Sequence, residues 1–189
     1  IRALGPEMGA AIGAVHARNG VDIRCAVQVA SINGNTKVTG VTLTNGDIIE
    51  ADVVIVGIGV APATQWCSES SLTIDDGIVC DANLNAGPAN VFVAGDVLRW
   101  PNGMFKDIEP TMRVEHWTNA AEQGAVAAQN LVATLRNEPM QPYSAVPFFW
   151  SDQFDARIQF LGRAFASSTV DVVAGNVAGG ASTRASHCA

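Results

Sequence analysis

The chain has 189 residues, 48% hydrophobic and only 15% charged, a balance that suits a packed core rather than a disordered chain. A net charge of −7 argues against binding a nucleic-acid backbone, which needs clustered Lys and Arg. No apolar stretch reaches bilayer length: residues 51–63 come nearest but are broken by Asp52 and two glycines, so no membrane association is expected.

Ile1-Arg-Ala-Leu-Gly-Pro6 reads neither as a signal peptide nor as a natural start. Residues 5–19, with Leu4 just before them, carry Met8, Ile12, Val15 and His16 at near-helical spacing and end at Gly20, a good C′ residue. A strand is expected over 21–30. Val38 to Leu43 and Asp47 to Ala51 flank Asn45-Gly46, the signal of a type I′ hairpin. Asp52-Val-Val-Ile-Val-Gly-Ile-Gly59 reads as a buried strand ending in two close-approach glycines, and Pro62 stops it. A loop-rich crossing then leads through Ile78-Val-Cys80 to Val91.

Val91-Phe-Val-Ala-Gly-Asp96 is an apolar run that stops abruptly at a Gly-Asp pair. Such a run predicts a buried strand, and in an open α/β sheet ligands sit at its carboxyl end. Gly95 lets the backbone approach closely there. Asp96 is an acceptor-only carboxylate suited to polyol hydroxyls, although a Gly-Asp pair also caps turns. Residues 97–114 read as irregular. The Ala-rich stretch after Glu115-His-Trp-Thr-Asn-Ala-Ala-Glu-Gln-Gly124 predicts a helix with Trp117, Ala120, Ala121, Gly124, Ala128, Leu131, Val132 and Leu135 on one face. Asn119 and Glu122 stand at capping-box spacing. Pro139, Pro142 and Pro147 form a linker, and Phe148 opens a small second unit with a strand at Arg157-Ile-Gln-Phe160. From Ala174 onward the Gly, Ala, Ser and Asn content predicts a disordered or divergent tail, in which His187 has no role.

Cys25, Cys67, Cys80 and Cys188 lie far apart with no Cys-x-x-Cys pair. That removes a redox dithiol and a zinc ribbon, no metal site is expected, and buried free thiols of a cytosolic protein are the preferred reading.

The order strand, Gly95-Asp96, loop, Ala-rich helix resembles the C-terminal flavin-binding segment of FAD-dependent pyridine nucleotide-disulfide oxidoreductases. Within that superfamily, Glu115-His116-Trp117 and Phe148-Phe-Trp-Ser-Asp-Gln153 resemble the NAD(P)H:ferredoxin or rubredoxin reductase branch. The resemblance covers residues 1–173 and implies an α/β remnant of a flavoprotein with two dinucleotide-binding domains and a small α+β C-terminal domain. Residues 1–63 correspond to the end of the NAD(P)-binding domain, 64–138 to the C-terminal segment of the FAD-binding domain, and 139–173 to the start of the reductase C-terminal domain. Residues 174–189 depart from the family.

The resemblance implies that Asp96 takes the ribityl hydroxyls of FAD, with the Gly95 and Asp96 backbone against the phosphate–ribityl chain. Glu115, His116 and Trp117 bring a helix start whose free N–H groups suit the flavin C2 carbonyl. Glu115 also suits the first turn electrostatically, and Trp117 suits the core. Hydride transfer to flavin N5 needs no proton relay, so His116 is not expected to act as a general base. Trp150, in an aromatic cluster, is expected beside the isoalloxazine ring. Asp152 and Gln153 are expected to be structural hydrogen-bonders, and Gly57 and Gly59 to pass close to the nicotinamide. Arg99, Lys106, Arg113 and Arg157 form either a basic patch for an acidic redox partner or a solvated surface.

FAD and NAD(P)H are therefore the implied cofactors, and a ferredoxin- or rubredoxin-like protein the implied electron acceptor. A dinucleotide fold also announces itself by strand, Gly-x-Gly-x-x-Gly and helix. Here Gly57-Ile-Gly59 is the only Gly-x-Gly, and Pro62 stands where the third glycine belongs. The chain thus reads as a fragment of an oxidoreductase, inactive alone. The rival is a non-catalytic truncated chain that binds no cofactor.

Overall fold

A computed structural model describes residues 4–164, 169–176 and 181–188. The first three residues, whose reading as a non-natural start was given above, lie outside that range, as do residues 177–180 and Ala189 of the expected tail. Helix α1 spans Gly5–Arg18, with Pro6 in its first turn, Glu7 near the positive end of its dipole and Gly20 just beyond it at φ 82°. Its C-terminal end is fastened to a distant segment. His16 Nε2 meets Gln153 Oε1 at 2.7 Å, the His16 ring packs edge-on against Phe154, and Arg18 pairs with Asp155 at 2.8 Å.

Strands β1 (Val29–Gly34), β2 (Val38–Leu43) and β3 (Ile48–Glu50) form an antiparallel meander. The expected strand over 21–30 shrinks to its last two residues. The hairpin is present, but its turn is not type I′: within it only Gly46 has positive φ, at 92°. Gly46 N–H donates to Leu43 O at 3.0 Å, and Leu43 N–H donates to Asp47 O at 2.8 Å. That is a three-residue connection, in which one left-handed residue suffices.

The expected buried strand over 52–59 is neither buried nor a strand. Ile55 is 92% and Ile58 91% exposed, and the segment has no ladder partner. A continuous apolar run forms a central strand only when neighbours pair with both of its edges and cover both faces. The described residues supply none.

The packed core lies instead between residues 67 and 145. Ile78, Leu84, Leu98, Trp100 and Met112 are essentially inaccessible and pack with Cys67, Cys80, Val114 and Tyr143. Two short parallel strands, β4 (Ile78–Val79) and β5 (Leu98–Arg99), run through it, and Trp100 exchanges backbone hydrogen bonds with Met112. Part of the expected irregular stretch is therefore ordered by β5 and this bridge. Val91 to Asp96 does not form the full strand expected: among the described residues its one bridge is Phe92 with Asn85, and the chain bends at Gly95 and turns at Asp96.

Helix α2 (Trp117–Arg136) covers this core and ends at Asn137 in the left-handed conformation, where Glu138 N–H closes onto Ala133 O at 2.8 Å. The capping-box expectation fails: His116 is the N-cap residue and has no side-chain cap. Asn119 lies inside the first turn, buried, with Nδ2 donating to Val114 O at 3.2 Å. Beyond the linker, β6 (Phe148–Gln153) and β7 (Ala156–Leu161) form an antiparallel hairpin. Strands β8 (Thr169–Asn176) and β9 (Ala181–Cys188) pair antiparallel where a disordered tail was expected. Backbone ladder bonds need no large side chains, and the Thr, Ser and Val content of these strands suits extended structure.

Candidate functional site

Gly95 and Asp96 sit at the base of α2. Gly95 adopts φ 79°, open to glycine and strained for other residues. Its N–H donates to Gln123 Oε1 at 2.9 Å, and its carbonyl accepts Leu98 N–H at 2.9 Å. Arg113 Nη1 donates to the Asp96 carbonyl at 3.2 Å. The turn is thus held by its backbone from both sides, while the Asp96 side chain stays exposed. A carboxylate so placed is free to accept hydrogen bonds from a ligand.

The start of α2 adjoins this turn. The first intrahelical bond runs from Ala120 N–H to His116 O, which leaves the N–H groups of Trp117, Thr118 and Asn119 without helical acceptors. No side chain caps them, and Trp117 is 77% exposed rather than packed in the core. Such a helix start presents partial positive charge to an anionic or carbonyl ligand. Glu115 is exposed and ion-paired with Arg113. His116 packs on Phe149 at 5.1 Å, and its Nδ1 is buried without a partner. Burial and the nearby Arg163 pull the His116 pKa below the ordinary imidazole value, with Asp96 and Glu115 opposing.

Trp150 is 42% exposed and stacks on Phe148 at 5.9 Å. Thr118 Oγ1 donates to Phe148 O at 3.0 Å, so β6 is fastened directly to the first turn of α2. Asp152 pairs with Arg157 across the hairpin at 3.6 Å, and Gln153 bonds Ser151 and His16. Gly57 and Gly59 stand in open space, with nothing near enough to touch an added Cβ. They are not brought to the Gly95–Asp96 turn.

The basic residues do not form one free patch. Arg99 and Arg113 share Asp76, at 3.5 and 3.3 Å. Sequence reading missed the buried amides of α2. Gln123 is fully inaccessible beneath the turn. Asn130, equally buried, donates to Asn83 O and Gln141 O at 2.8 Å each. Tyr143 donates from its hydroxyl toward Asn119 Oδ1 at 3.1 Å and Glu122 Oε2 at 3.0 Å, and burial together with Glu122 raises its pKa. The available signal was spacing: Asn119, Gln123 and Asn130 recur at four and seven residues, one helical face. Among the described residues no cluster of His, Cys, Asp or Glu could hold a metal, and no helix is long and apolar enough to cross a membrane.

Residues 1–124 match the family model described as pyridine nucleotide-disulphide oxidoreductase. Rhodocoxin reductase of Rhodococcus erythropolis is 33% identical over 180 residues, covering 95% of this chain and 40% of that protein. A ferredoxin reductase from Rhodopseudomonas palustris superposes with a TM-score of 0.81 at 31% identity, covering 94% of this chain and 42% of the other. Putidaredoxin reductase, in its covalent complex with putidaredoxin, gives a TM-score of 0.79 at 30% identity over 94% of this chain and 41% of the other. The chain therefore spans about two fifths of the length of the relatives it matches.

Proposed function

Because the chain belongs to the pyridine nucleotide-disulphide oxidoreductase family, we propose that it forms the C-terminal side of a flavin site in an NAD(P)H:ferredoxin reductase. Residues 1–63, 64–138 and 139–173 are assigned to the NAD(P)-binding end, the FAD-binding segment and the start of the C-terminal domain.

The observation that carries this reading is the juxtaposition of the backbone-held Gly95–Asp96 turn with the uncapped start of α2. The residues present fit one side of a flavin. Asp96 offers a free carboxylate to the ribityl hydroxyls, and the N–H groups opening α2 suit the pyrimidine carbonyl. Gln123 holds the turn in place, and Trp150, on the strand fastened to α2, offers an exposed aromatic face. Bound FAD would supply the conversion between a two-electron hydride donor and one-electron acceptors. The role of the chain is to bind and orient that group and to keep its reacting edge within reach of a partner. The acceptor is a small ferredoxin or rubredoxin; the ferredoxin reductases and the putidaredoxin complex among the similar proteins support the ferredoxin half of that reading.

A second reading, a chain that holds no cofactor, is favoured by the exposed run around Ile55 and Ile58 and by the open space at Gly57 and Gly59. Flavin absorbance of the purified chain, and its bleaching by NADH under anaerobic conditions, decide between them. A colourless protein that gains no bound flavin from added FAD supports the second reading and overturns the first.

A further inference from the structure

The β6–β7 hairpin stands alone as a sheet: among the described residues no third strand pairs with it. A two-stranded hairpin is marginal in water, so its order depends on what fastens it. Side chains alternate along β6, which puts Phe149, Ser151 and Gln153 on one half-buried face and Trp150 and Asp152 on the exposed one. The hairpin is held at three points. Phe148 O accepts from Thr118 at the root, and Phe149 packs on His116 farther along. The third point is the tip, and it is held by α1.

Gln153 pairs with Ala156 in the ladder, which leaves a two-residue turn of Phe154 and Asp155. Gln153, Phe154 and Asp155 all meet the last turn of α1. Gln153 Nε2 donates to Ser151 Oγ at 3.2 Å, so its Oε1 is free to accept from His16 Nε2 at 2.7 Å, a partly buried bond. The His16 ring meets Phe154 edge-on, with centroids 5.3 Å apart. Arg18 reaches Asp155 at 2.8 Å, but the side chains are 39% and 71% exposed, so this pair contributes little alone. Phe154 carries φ 56°, a backbone usual for glycine or asparagine and strained for a bulky aromatic. Such a conformation persists where its surroundings over-determine it. Here those surroundings are His16 and Arg18.

We propose that His16 and Arg18 are positioning residues: they latch the tip of the hairpin, and the latch sets where Trp150 stands. Trp150 lies three residues before Gln153 on the same strand, so a hairpin anchored at its root alone would fray from the tip toward it. The latch joins residues 137 apart in sequence. One belongs to the segment assigned to the end of the NAD(P)-binding domain and the other to the start of the C-terminal domain. The effect of the latch on a bound flavin rests on the flavin reading; the latch itself does not.

Amide hydrogen exchange of the chain tests the latch without flavin. His16→Ala removes a partly buried hydrogen bond and a ring contact, and should speed exchange over residues 148–161 about tenfold. The core amides of Trp100 and Met112 should keep their native rates. Equal acceleration of hairpin and core marks a general loss of stability and overturns the latch, as does acceleration in neither. Arg18→Glu alters an exposed side chain and so keeps the fold. It places like charges at the tip and should speed hairpin exchange about threefold, and adding Asp155→Arg should restore the rate. A hairpin indifferent to the single change, or not rescued by the second, overturns the part of Arg18.

In flavin-loaded protein the readout is flavin fluorescence, which a tryptophan against the ring quenches. Trp150→Phe and His16→Ala should each raise it, whereas Trp66→Phe, exposed on another segment, should not. Emission raised by Trp150→Phe but not by His16→Ala overturns the positioning role. Emission raised by neither overturns the place of Trp150 in the flavin reading and the positioning role with it, while the exchange rates still decide the latch.

Discussion

Gln123 Oε1 accepts the Gly95 N–H at 2.9 Å, so a fully buried helix side chain holds the backbone of the turn that presents Asp96. The same amide leaves its Nε2 buried without a partner. Replacing Gln123 by Leu orphans the Gly95 N–H and should destabilise the chain by about 1–3 kcal/mol. Gly95→Ala should also be costly, and for a different reason. An added Cβ would meet Ala120 Cβ at an ordinary 3.6 Å, so the penalty is the left-handed backbone, about 1–2 kcal/mol. Urea unfolding midpoints of the two variants check both values.

Asp96 and Asp107 make a matched pair for testing ligand binding, since both side chains are exposed and only Asp96 stands at the turn. In a protein that retains FAD, Asp96→Ala should weaken flavin affinity at least about tenfold, the loss of one charge-assisted hydrogen bond. Asp107→Ala should leave it unchanged. Equal retention in the two variants, measured by flavin fluorescence on dilution, would reduce Asp96 to a turn residue.

The lowered pKa of His116 makes a prediction about acid. The unfolded chain, with an ordinary imidazole pKa of about 6.5, binds a proton before the folded chain does. The contribution of His116 to stability is therefore complete above about pH 6.5 and is lost as pH falls toward the folded value. Thermal melts from pH 7 down to about 5.5 should show a decline that is shallower in His116→Asn. An unchanged slope would mean that the ring gains a partner on protonation.

Thiol chemistry should follow burial. Cys80 is buried, and burial with Asp81 nearby pushes its pKa up to about 12. Cys67 is buried with its thiol directed at Thr64 O, whereas Cys25 is exposed. The thiolate is the nucleophile, so iodoacetamide at pH 8 should label Cys25 well before Cys67 or Cys80, as peptide mapping would read. Early labelling of Cys80 would show that the core around Trp100 opens readily.

Short-range signals carried far in this chain. The 3.6-residue period located both helices, and the Asn45-Gly46 pair located the hairpin, although loop length rather than residue identity set its turn type. The Gly95–Asp96 turn and the start of α2 could be read because a glycine closing an apolar run and a following Ala-rich helix are local features. The contacts from Gln123 to Gly95 and from Arg113 to Asp76 and Asp96 O join residues far apart in sequence, which one-dimensional spacing does not reveal. The capping assignment failed for a related reason. Asn119 matches a cap by spacing, but Tyr143 and Val114 claim its side chain inside the first turn.

The clearest mismatch between sequence and environment is the run from Val53 to Val60, built for a sheet interior yet lying at the surface. Ile55 and Ile58 bury almost nothing, so replacing both with Lys removes no packing and should alter stability by no more than about 0.5 kcal/mol. Leu98, fully buried beside Ile78 and Trp100, is the internal control, and Leu98→Ala should cost about 2–5 kcal/mol. Because contiguous exposed apolar surface drives association, the double Lys variant should also bind less of an apolar dye such as ANS and stay dispersed at higher concentration. Unfolding curves, dye fluorescence and light scattering on the three proteins check this directly. A large loss of stability in the double variant would show that the run is buried in solution, against a partner strand or a second copy of the chain.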